Sequence, residues 1–440
     1  MTTIRLTLRN LYQAFTNEGS FVNNIKYYTL YFFVNFVIQL IFTPIIARVF
    51  TAEAYGMFSL VISLATYVSL IYTLQLEPAI VVQKTNGEAT IISRAIFTIN
   101  SVAVAASYTI LAAILLVYYY NSPMAFSNIS YLLWVPILSF SIAAHNVYGN
   151  VANRNKNYKK IFQVMSPIYL ASKIATVGWG KFVQNNFLGL YLGEVVFRVG
   201  AVLLGFKYVV GEKMSTYLSV LSLKNTYKVA KENSNYVLFV LPLRLLSLLS
   251  SQMPIYFLAI YYDKGTLGQF AFANAFLEIP VRLVSYSFAT VFFQKSSEVI
   301  NAGGTMLRRS IKMLGGLFLL AIPPFALMYF FSDQIFHFLF GKQWGYASKL
   351  AVSLILFYFS RFVFEPFQVL FQVLNKQRVQ FVVTIVYFLT FGSYLFFSMQ
   401  HKGELTHIFN VMSVLSLFYF LFQTLLIFYL LRNSNSTNNS

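Results

Sequence analysis

The sequence is dominated by apolar segments that are each long enough to cross a lipid bilayer. A transmembrane helix needs about 20 mainly apolar residues, and its backbone polar groups must be satisfied within the segment. We therefore predict an all-α polytopic membrane protein with twelve transmembrane helices. The predicted spans cover residues 27–50, 55–83, 94–120, 129–152, 161–180, 187–207, 236–262, 266–294, 310–332, 346–374, 379–400 and 406–431.

Composition supports this fold class and excludes several chemistries. The chain is 58% hydrophobic and 10% charged, whereas soluble domains carry about 25% charged residues. It contains no cysteine, which excludes disulfides, thiolate nucleophiles and cysteine-based metal sites. Most of the net charge of +19 is accounted for by the excess of Lys and Arg that cytoplasmic loops of membrane proteins carry. We therefore expect no nucleic-acid partner.

Lys and Arg are distributed unequally between the two sides of the predicted membrane. With the N-terminus inside, cytoplasmic segments carry 21 of the 32 Lys and Arg residues, and the opposite side carries six. This asymmetry predicts that both termini are cytoplasmic. The longest stretch of low hydrophobicity, 208–235, divides the spans into six plus six. The predicted organisation is a cytoplasmic segment 1–26, an N-lobe 27–207, an inter-lobe loop 208–235, a C-lobe 236–431 and a tail 432–440.

Charged residues inside the predicted spans are the strongest functional signal. A charge at the middle of a bilayer costs about 2.5–3.5 kcal/mol on insertion scales, so such residues have a specific role. Cations are in excess, and this surplus predicts an anion that enters the membrane. The cations are Lys173, Arg198, Arg244, Arg282 and Arg361, and the acids are Glu77, Glu194, Glu278 and Glu365.

Helical spacing separates these charges into paired and unpaired groups. Residues four apart lie on the same helix face, and this spacing joins Glu194 to Arg198, Glu278 to Arg282, and Arg361 to Glu365. Each pair is either a local ion pair that stabilises helix packing or part of an anion site. Lys173 and Arg244 have no carboxylate within a turn, so they are candidates for direct anion contact.

Glu77 is the acid without a cation at helical spacing. It precedes Pro78 near the inner end of the second predicted span. An intramembrane carboxylic acid can relay protons, or it can form a salt bridge with Arg94 or with another helix. The sequence leaves both interpretations open.

A weak internal repeat crosses the central loop. Ala47 is followed by Tyr55-Gly56-x-Phe58, and Ala259 by Leu267-Gly268-x-Phe270, at a constant offset of 212. Each match joins the first span of one half to its second span. Together with the division into six plus six spans, the repeat indicates two parallel six-helix repeats.

Several segments resemble one family of transporters. The segment 44–58, which contains Arg48, Tyr55 and Gly56, resembles the signature of polysaccharide biosynthesis transporters, the Wzx-type O-antigen flippases of the multidrug/oligosaccharidyl-lipid/polysaccharide exporter (MOP) superfamily. The basic segment 153–160 resembles the loop after that family's fourth helix. The segment 265–280 resembles its eighth helix.

The resemblance implies a fold and a substrate. The fold would be MATE-like, with two six-helix lobes around a central cavity, in the bacterial inner (cytoplasmic) membrane. The substrate would be an O-antigen or related repeat unit linked to undecaprenyl pyrophosphate, which crosses by alternating access. Partners would be membrane lipids and the polymerase and chain-length regulator of the same pathway. No cofactor is expected.

We assign site roles by combining the resemblance with the buried charges. The expected contacts to pyrophosphate or an anionic sugar are Arg282, Arg244, Lys173, Arg198 and Arg361. Glu77 and Glu278 are the expected coupling acids for a gradient of H⁺ or Na⁺. Arg48, Tyr55 and Gly56 are the expected gate and signature residues. We expect no catalytic residue and no metal ligand.

Other functions remain as alternatives. The chain has no P-loop, so we expect a secondary transporter that does not hydrolyse ATP. It also has no acidic pair suited to a metal-dependent glycosyltransferase, so we expect no enzyme. A lipid-linked oligosaccharide polymerase resembles a family with a large Arg-rich periplasmic loop, whereas the predicted outer loops here are short. A cation-coupled multidrug exporter of the same superfamily would need an acidic cavity to bind cationic drugs. A lipid II flippase resembles a family that usually carries two additional helices.

Overall fold

The computed structural model describes residues 21–121, 130–301, 304–374 and 376–436, and it is helical throughout. Most of the predicted N-terminal segment 1–26 lies outside these residues. The helices are α1 Phe21–Val49, α2 Ala52–Thr73, α3 Glu77–Val82, α4 Asn86–Asn121, α5 Val135–Asn155, α6 Tyr158–Phe182, α7 Phe187–Gly205, α8 Met214–Tyr217, α9 Leu223–Glu232, α10 Leu241–Tyr261, α11 Lys264–Pro280, α12 Ser287–Asn301, α13 Leu307–Phe340, α14 Gly345–Phe364, α15 Val369–Val373, α16 Gln377–Gln400 and α17 Leu405–Ser436.

The prediction of an all-α polytopic membrane protein is confirmed. Within the described residues, ten helical segments are long and apolar enough to cross a membrane. Two predicted spans, 161–180 and 266–294, are also helical but fall outside those ten. Polar and charged residues lower the mean hydropathy of both: Lys173 lies in α6, and Glu278 and Arg282 lie in and just after α11.

The predicted span 55–83 is not one continuous helix. Helix α2 ends at Thr73, and α3 begins at Glu77. Between them, Leu74 and Gln75 have φ values of 50° and 54°, in the left-handed region that non-glycine residues rarely adopt. Pro78 lies in the first turn of α3, where its missing N–H removes no helical hydrogen bond.

The chain divides into two compact units. The first contains residues 1–50 and 57–245, and the second contains 51–56 and 246–440. The predicted inter-lobe loop 208–235 contains the short helices α8 and α9 and belongs to the first unit. A core of that unit joins α3, α4, α5 and α7 through Ile80, Ile96, Val147 and Ala201, each almost fully buried.

The core of the second unit is aromatic. Phe272 of α11 stacks on Trp344, with ring centroids 4.1 Å apart. Phe336 and Phe340 of α13 pack edge-on against the Phe272 ring at 6.2 and 4.8 Å. Offset and edge-to-face packing of this kind stabilises aromatic cores beyond the burial of area alone. This cluster fixes α11, the helix that carries Glu278.

The two glycines of the internal repeat contact each other in the second unit. A Cβ added to Gly56 would overlap the backbone of Lys264 and Gly268, and a Cβ on Gly268 would overlap the backbone of Ala52. Glycine is needed at both positions because the helix backbones approach so closely. The repeat therefore marks a helix crossing between the first turns of α2 and the first turns of α11.

Candidate functional site

In the first unit, one carboxylate holds two cations. We call Lys173, Glu194 and Arg198 the Lys173 cluster. Arg198 Nη2 lies 3.1 Å from Glu194 Oε2, and Lys173 Nζ lies 3.7 Å from Glu194 Oε1. Lys173 is on α6, and the other two residues are on α7. The three charged groups leave a surplus of one positive charge, and all three side chains are largely buried.

Close packing of α6 and α7 brings this cluster together. Gly193 precedes Glu194, and a Cβ at Gly193 would overlap the side chain of Thr176 on α6. The Lys173 ammonium also lies 5.0 Å from the centroid of the Tyr169 ring, a distance at which a cation and an aromatic face attract each other. The Tyr169 hydroxyl donates to Gln39 Oε1 of α1 at 2.5 Å.

Lys173 has no carboxylate within a turn of its own helix, but it has a carboxylate partner across two helices. Its partner, Glu194, comes from the neighbouring helix, and spacing along a single helix does not reveal such a contact. The predicted pairing of Glu194 with Arg198 is present. Lys173 and Arg198 therefore act as one site with a shared counterion.

In the second unit, two arginines and two glutamates form a chain of contacts. We call Arg282, Glu278, Arg361 and Glu365 the Arg361 cluster. Arg282 Nη2 lies 3.3 Å from Glu278 Oε2, and Arg361 Nη1 lies 3.8 Å from Glu278 Oε1. Arg361 Nε donates to Glu365 Oε2 at 2.9 Å. Both predicted pairs are present, and Glu278 links them into a single group.

The two arginines of this cluster differ in exposure. The Arg361 side chain is 12% exposed, and it lies 5.6 Å from the ring centroids of both Phe357 and Tyr358. The Arg282 side chain is 68% exposed. Arg282 is therefore the accessible end of a chain of contacts whose other members are largely buried.

Local backbone structure presents Arg282. Helix α11 ends at Pro280, and a π-helical turn follows over Val281–Tyr286. The Ser285 hydroxyl in this turn donates to the Phe362 carbonyl of α14 at 2.9 Å, which fixes the turn beside Arg361. Single π turns of this kind often occur at functional sites.

Glu77 is buried among neutral groups. Its side chain accepts a hydrogen bond from Gln75 Nε2 at 3.3 Å, and Thr73 and Asn146 also lie within hydrogen-bonding range. Arg94, the alternative partner, instead donates to the Val220 carbonyl at 3.4 Å. Glu77 lies outside the ten candidate spans, and burial raises the pKa of its carboxyl group. This environment favours the protonated form.

Arg244 is exposed on α10 and forms no ion pair with a described carboxylate. It is not brought together with the described charges of the Lys173 cluster.

Arg48 is exposed in the last turn of α1, where a cation complements the helix dipole.

The signature residues Tyr55 and Gly56 pack within the protein. The Tyr55 ring is edge-on to Phe272 and Trp344, at centroid distances of 5.3 and 5.9 Å. Gly56 lies against the backbone of α11. These contacts support the aromatic core of the second unit.

A family model matches a large part of this chain, and solved structures match nearly all of its fold. The family model, described as "Polysaccharide biosynthesis protein", matches residues 45–349, more than half of the chain. No protein with a curated description matches the chain.

Three solved structures illustrate the fold. A MOP superfamily transporter from Pyrococcus furiosus Vc1, described as having a "reverse polarity of binding pocket" that suggests a different function, gives a TM-score of 0.59. It is 14% identical, and the alignment covers 95% of this chain and 96% of that one. An inward-facing multidrug resistance MATE family transporter gives a TM-score of 0.55 at 14% identity, and the alignment covers 93% of this chain and 96% of that one. An outward-facing multidrug resistance MATE family transporter gives a TM-score of 0.53 at 13% identity, and the alignment covers 94% of this chain and 96% of that one. The chain therefore has the MATE-like fold of MOP superfamily transporters, as predicted.

Proposed function

This chain belongs to the family of polysaccharide biosynthesis proteins, whose model matches residues 45–349, and we propose that it moves a lipid-linked oligosaccharide across a membrane. The substrate we propose is an O-antigen or related repeat unit linked to undecaprenyl pyrophosphate, and the membrane is the bacterial inner membrane. The fold of MOP superfamily transporters supports transport over polymerisation or another enzymatic reaction.

Chemistry at the lipid headgroup connects this substrate to the buried charges. A pyrophosphate carries at least two negative charges, and its passage through hydrocarbon is prohibitive without compensating charge. The planar arginine fork matches phosphate oxygens with two parallel hydrogen bonds. The observation that carries the proposal is the Arg361 cluster, where an exposed arginine is supported by a largely buried ion-pair network.

Sharing of Glu278 gives a way to bind and release the anion. When phosphate oxygens bind Arg282, Glu278 loses one cation but keeps Arg361. Glu278 therefore keeps a positive partner. A buried carboxylate without one would be costly. When the anion leaves, Glu278 pairs with Arg282 again. Binding therefore exchanges one counterion for another.

The Lys173 cluster supplies a second contact for negative charge. Its surplus of one positive charge is held in a largely buried position. We propose that Lys173 and Arg198 contact the pyrophosphate or an acidic sugar during passage, and that exposed Arg244 contributes to capture of the headgroup. We also propose that Arg48, exposed in the last turn of α1, acts as a gate residue.

Coupling to an ion gradient is assigned to Glu77, with Glu278 as the second candidate. Glu77 is buried among neutral partners beside the left-handed residues Leu74 and Gln75. A change in its protonation alters the hydrogen bonds at this break between α2 and α3. Entry of H⁺, or binding of Na⁺ by the same carboxylate, would thereby return the empty transporter. We propose that the polymerase of the same pathway, together with its chain-length regulator, then uses the exported units.

Multidrug export is the second candidate function, because two of the similar structures are multidrug resistance MATE family transporters. The charge of the site distinguishes the two candidates. A cationic drug is repelled by the net positive Lys173 cluster, whereas an anionic headgroup is attracted to it.

Reconstituted transport tests the proposed function. Purified protein in vesicles should move an isoprenyl-diphosphate-linked oligosaccharide to the opposite leaflet, measured as exposure of its sugar to a membrane-impermeant glycosidase. Protein-free vesicles provide the background rate, and a cationic dye serves as the competing substrate. Movement of the dye without movement of the oligosaccharide would overturn the proposal in favour of drug export.

A further inference from the structure

Helix α9 presents apolar side chains to its surroundings although it lies outside the candidate spans. Leu223 and Tyr227 are each 70% exposed, and Val220 just before the helix is 63% exposed. Leu223 and Tyr227 are four residues apart, so they lie on one face of the helix. Two large apolar side chains on one face of such a short helix form a small surface that suits an apolar environment.

Lysines border this apolar face. Lys224, Lys228 and Lys231 are exposed, and at 100° per residue they occupy the sector next to Leu223 and Tyr227. Lys228 Nζ lies 3.9 Å from Glu232 Oε1, so the sector keeps a positive surplus. The opposite side of the helix is buried, at Thr226 and Val229. The protein therefore covers one side of α9 and leaves a mixed cationic and apolar side open.

Hydrogen bonds hold α9 in this orientation. The Leu221 N–H donates to Thr98 Oγ1 at 2.8 Å, and Arg94 Nη2 donates to the Val220 carbonyl at 3.4 Å. The Ser222 hydroxyl caps the helix by accepting from the Asn225 N–H. The open face is thus a fixed feature of the first unit.

The position of α9 along the chain places it beside a membrane surface. One candidate span ends at Val210, and the next begins at Tyr236. Arg94 and Thr98, which bond the segment just before α9, lie eight and twelve residues after Asn86, the first residue of α4. A segment that connects the end of one span to the beginning of the next lies at the boundary between lipid headgroups and water. The positive-inside pattern predicts that this boundary is the cytoplasmic one.

We propose that α9 binds anionic phospholipid headgroups of the adjacent leaflet. Leu223 and Tyr227 would enter the headgroup–acyl boundary, and the three lysines would contact lipid phosphates. Interfacial helices combine an apolar face with Lys on the polar face in this way, and anionic lipids strengthen their binding. Long lysine stems also allow the ammonium groups to reach the phosphates while the methylenes stay in apolar surroundings. None of these residues is one of the proposed transport residues.

Site-specific fluorescence tests the proposal, and the absence of native cysteine makes it direct. A polarity-sensitive thiol dye is attached to Tyr227→Cys, and in a matched control to Asn225→Cys on an exposed position of α9 outside this sector. Each protein is placed in phosphatidylcholine vesicles with and without phosphatidylglycerol. We expect the dye at position 227 to shift to shorter wavelength with phosphatidylglycerol, and to be several-fold better protected from a neutral aqueous quencher. The control position should change much less.

Two further measurements decide the result. Replacing Lys224, Lys228 and Lys231 together by Gln should remove the dependence on phosphatidylglycerol, and high salt should weaken it in the protein that retains the lysines. The salt series needs no lysine variant, so it stands even where the triple variant fails to fold. Equal spectra and equal quenching at position 227 in both kinds of vesicle would overturn the proposal and leave the face to a protein partner or to water.

Discussion

The Lys173 cluster of the first unit and the Arg361 cluster of the second are built on the same plan. In each, a glutamate pairs with an arginine four residues later and with a second cation from a neighbouring helix. The clusters differ in two respects. The second has an additional carboxylate, Glu365. The side chain of Arg282 is 68% exposed, whereas that of the corresponding arginine in the first cluster, Arg198, is 18% exposed.

This difference indicates that the carboxylate of the first cluster mainly stabilises the fold, whereas the second cluster can bind an anion. Glu194 is the only carboxylate of the Lys173 cluster, so both of its buried cations depend on it. In the Arg361 cluster, Arg361 has two carboxylates, which leaves Glu278 able to exchange Arg282 for an anion. The first cluster is therefore a fixed positive site, and the second is an adjustable one.

The largest expected effect is on stability in the first unit. Glu194→Gln leaves Lys173 and Arg198 largely buried without their carboxylate, which should cost about 3–5 kcal/mol of unfolding free energy. Glu278→Gln is the matched variant, and it should cost about 1 kcal/mol or less because Arg361 keeps Glu365 and Arg282 is exposed. Unfolding in detergent, followed by size-exclusion chromatography, measures both. Equal losses would contradict the distinction between the clusters.

The next effect is on transport through the second unit. Arg282→Ala should leave folding intact and slow transport by about 10- to 150-fold, since a hydrogen bond to a charged group contributes about 1.5–3 kcal/mol. Arg282→Lys should recover part of the rate, because it restores the charge without the planar fork. Lys295→Ala removes an exposed pair with Glu298 in the same unit and serves as the control. Wild-type transport by Arg282→Ala would remove this residue from the site.

A smaller effect concerns the coupling acid. Glu77→Gln in the first unit fixes a neutral side chain, so transport in vesicles should continue but lose its acceleration by a pH gradient. Glu88→Gln changes an exposed glutamate of the same unit and should keep that acceleration. The rate ratio with and without the gradient is the quantity to measure. An unchanged ratio for Glu77→Gln would shift the assignment to Glu278, and hence to the second unit.

The smallest effect contrasts the helix caps of the two units. Asp263 caps α11, and hydrogen bonds from the Thr266 hydroxyl and N–H hold its pKa below the usual value. A carboxylate with a lowered pKa stabilises the folded state above its unfolded pKa, and this contribution disappears as pH falls through the folded pKa. The caps of α6 and α7, Asn157 and Asn186, are neutral.

Below about pH 4, the free energy of unfolding of the wild-type protein should therefore decrease as Asp263 is protonated. Asp263→Asn should not show this decrease. At neutral pH, Asp263→Ala should cost about 1 kcal/mol. Asn157→Ala provides the comparison in the first unit, and its cost should not depend on pH over this range. Identical pH profiles for wild type and Asp263→Asn would show that the cap carries no charge-dependent stability.

The fold class and the ion pairs within single helices could be predicted from the sequence. Apolar run length determines which segments cross a membrane, and a spacing of four determines which charges share a helix face. The contacts between helices could not be predicted. Lys173 with Glu194 and Glu278 with Arg361 join residues far apart in the chain, and their meeting depends on packing features such as Gly193.

The sequence pattern also did not predict where a helix is interrupted within an apolar run. The apolar run 55–83 gives no sign of the left-handed Leu74 and Gln75, because neither is a glycine. Pro78 was the one local signal, since proline is favoured in the first turn of a helix. The repeat containing Gly56 and Gly268 marked a close helix crossing, although the sequence suggested only internal duplication.

The most direct test of the central claim is equilibrium binding of a short-chain isoprenyl diphosphate to the purified protein, with the corresponding monophosphate as the reference ligand. Wild type should bind the diphosphate more tightly than the monophosphate. Arg282→Ala should lose about tenfold or more in diphosphate affinity and most of that preference, while Lys295→Ala should match wild type. Equal diphosphate affinities for wild type and Arg282→Ala would contradict the account.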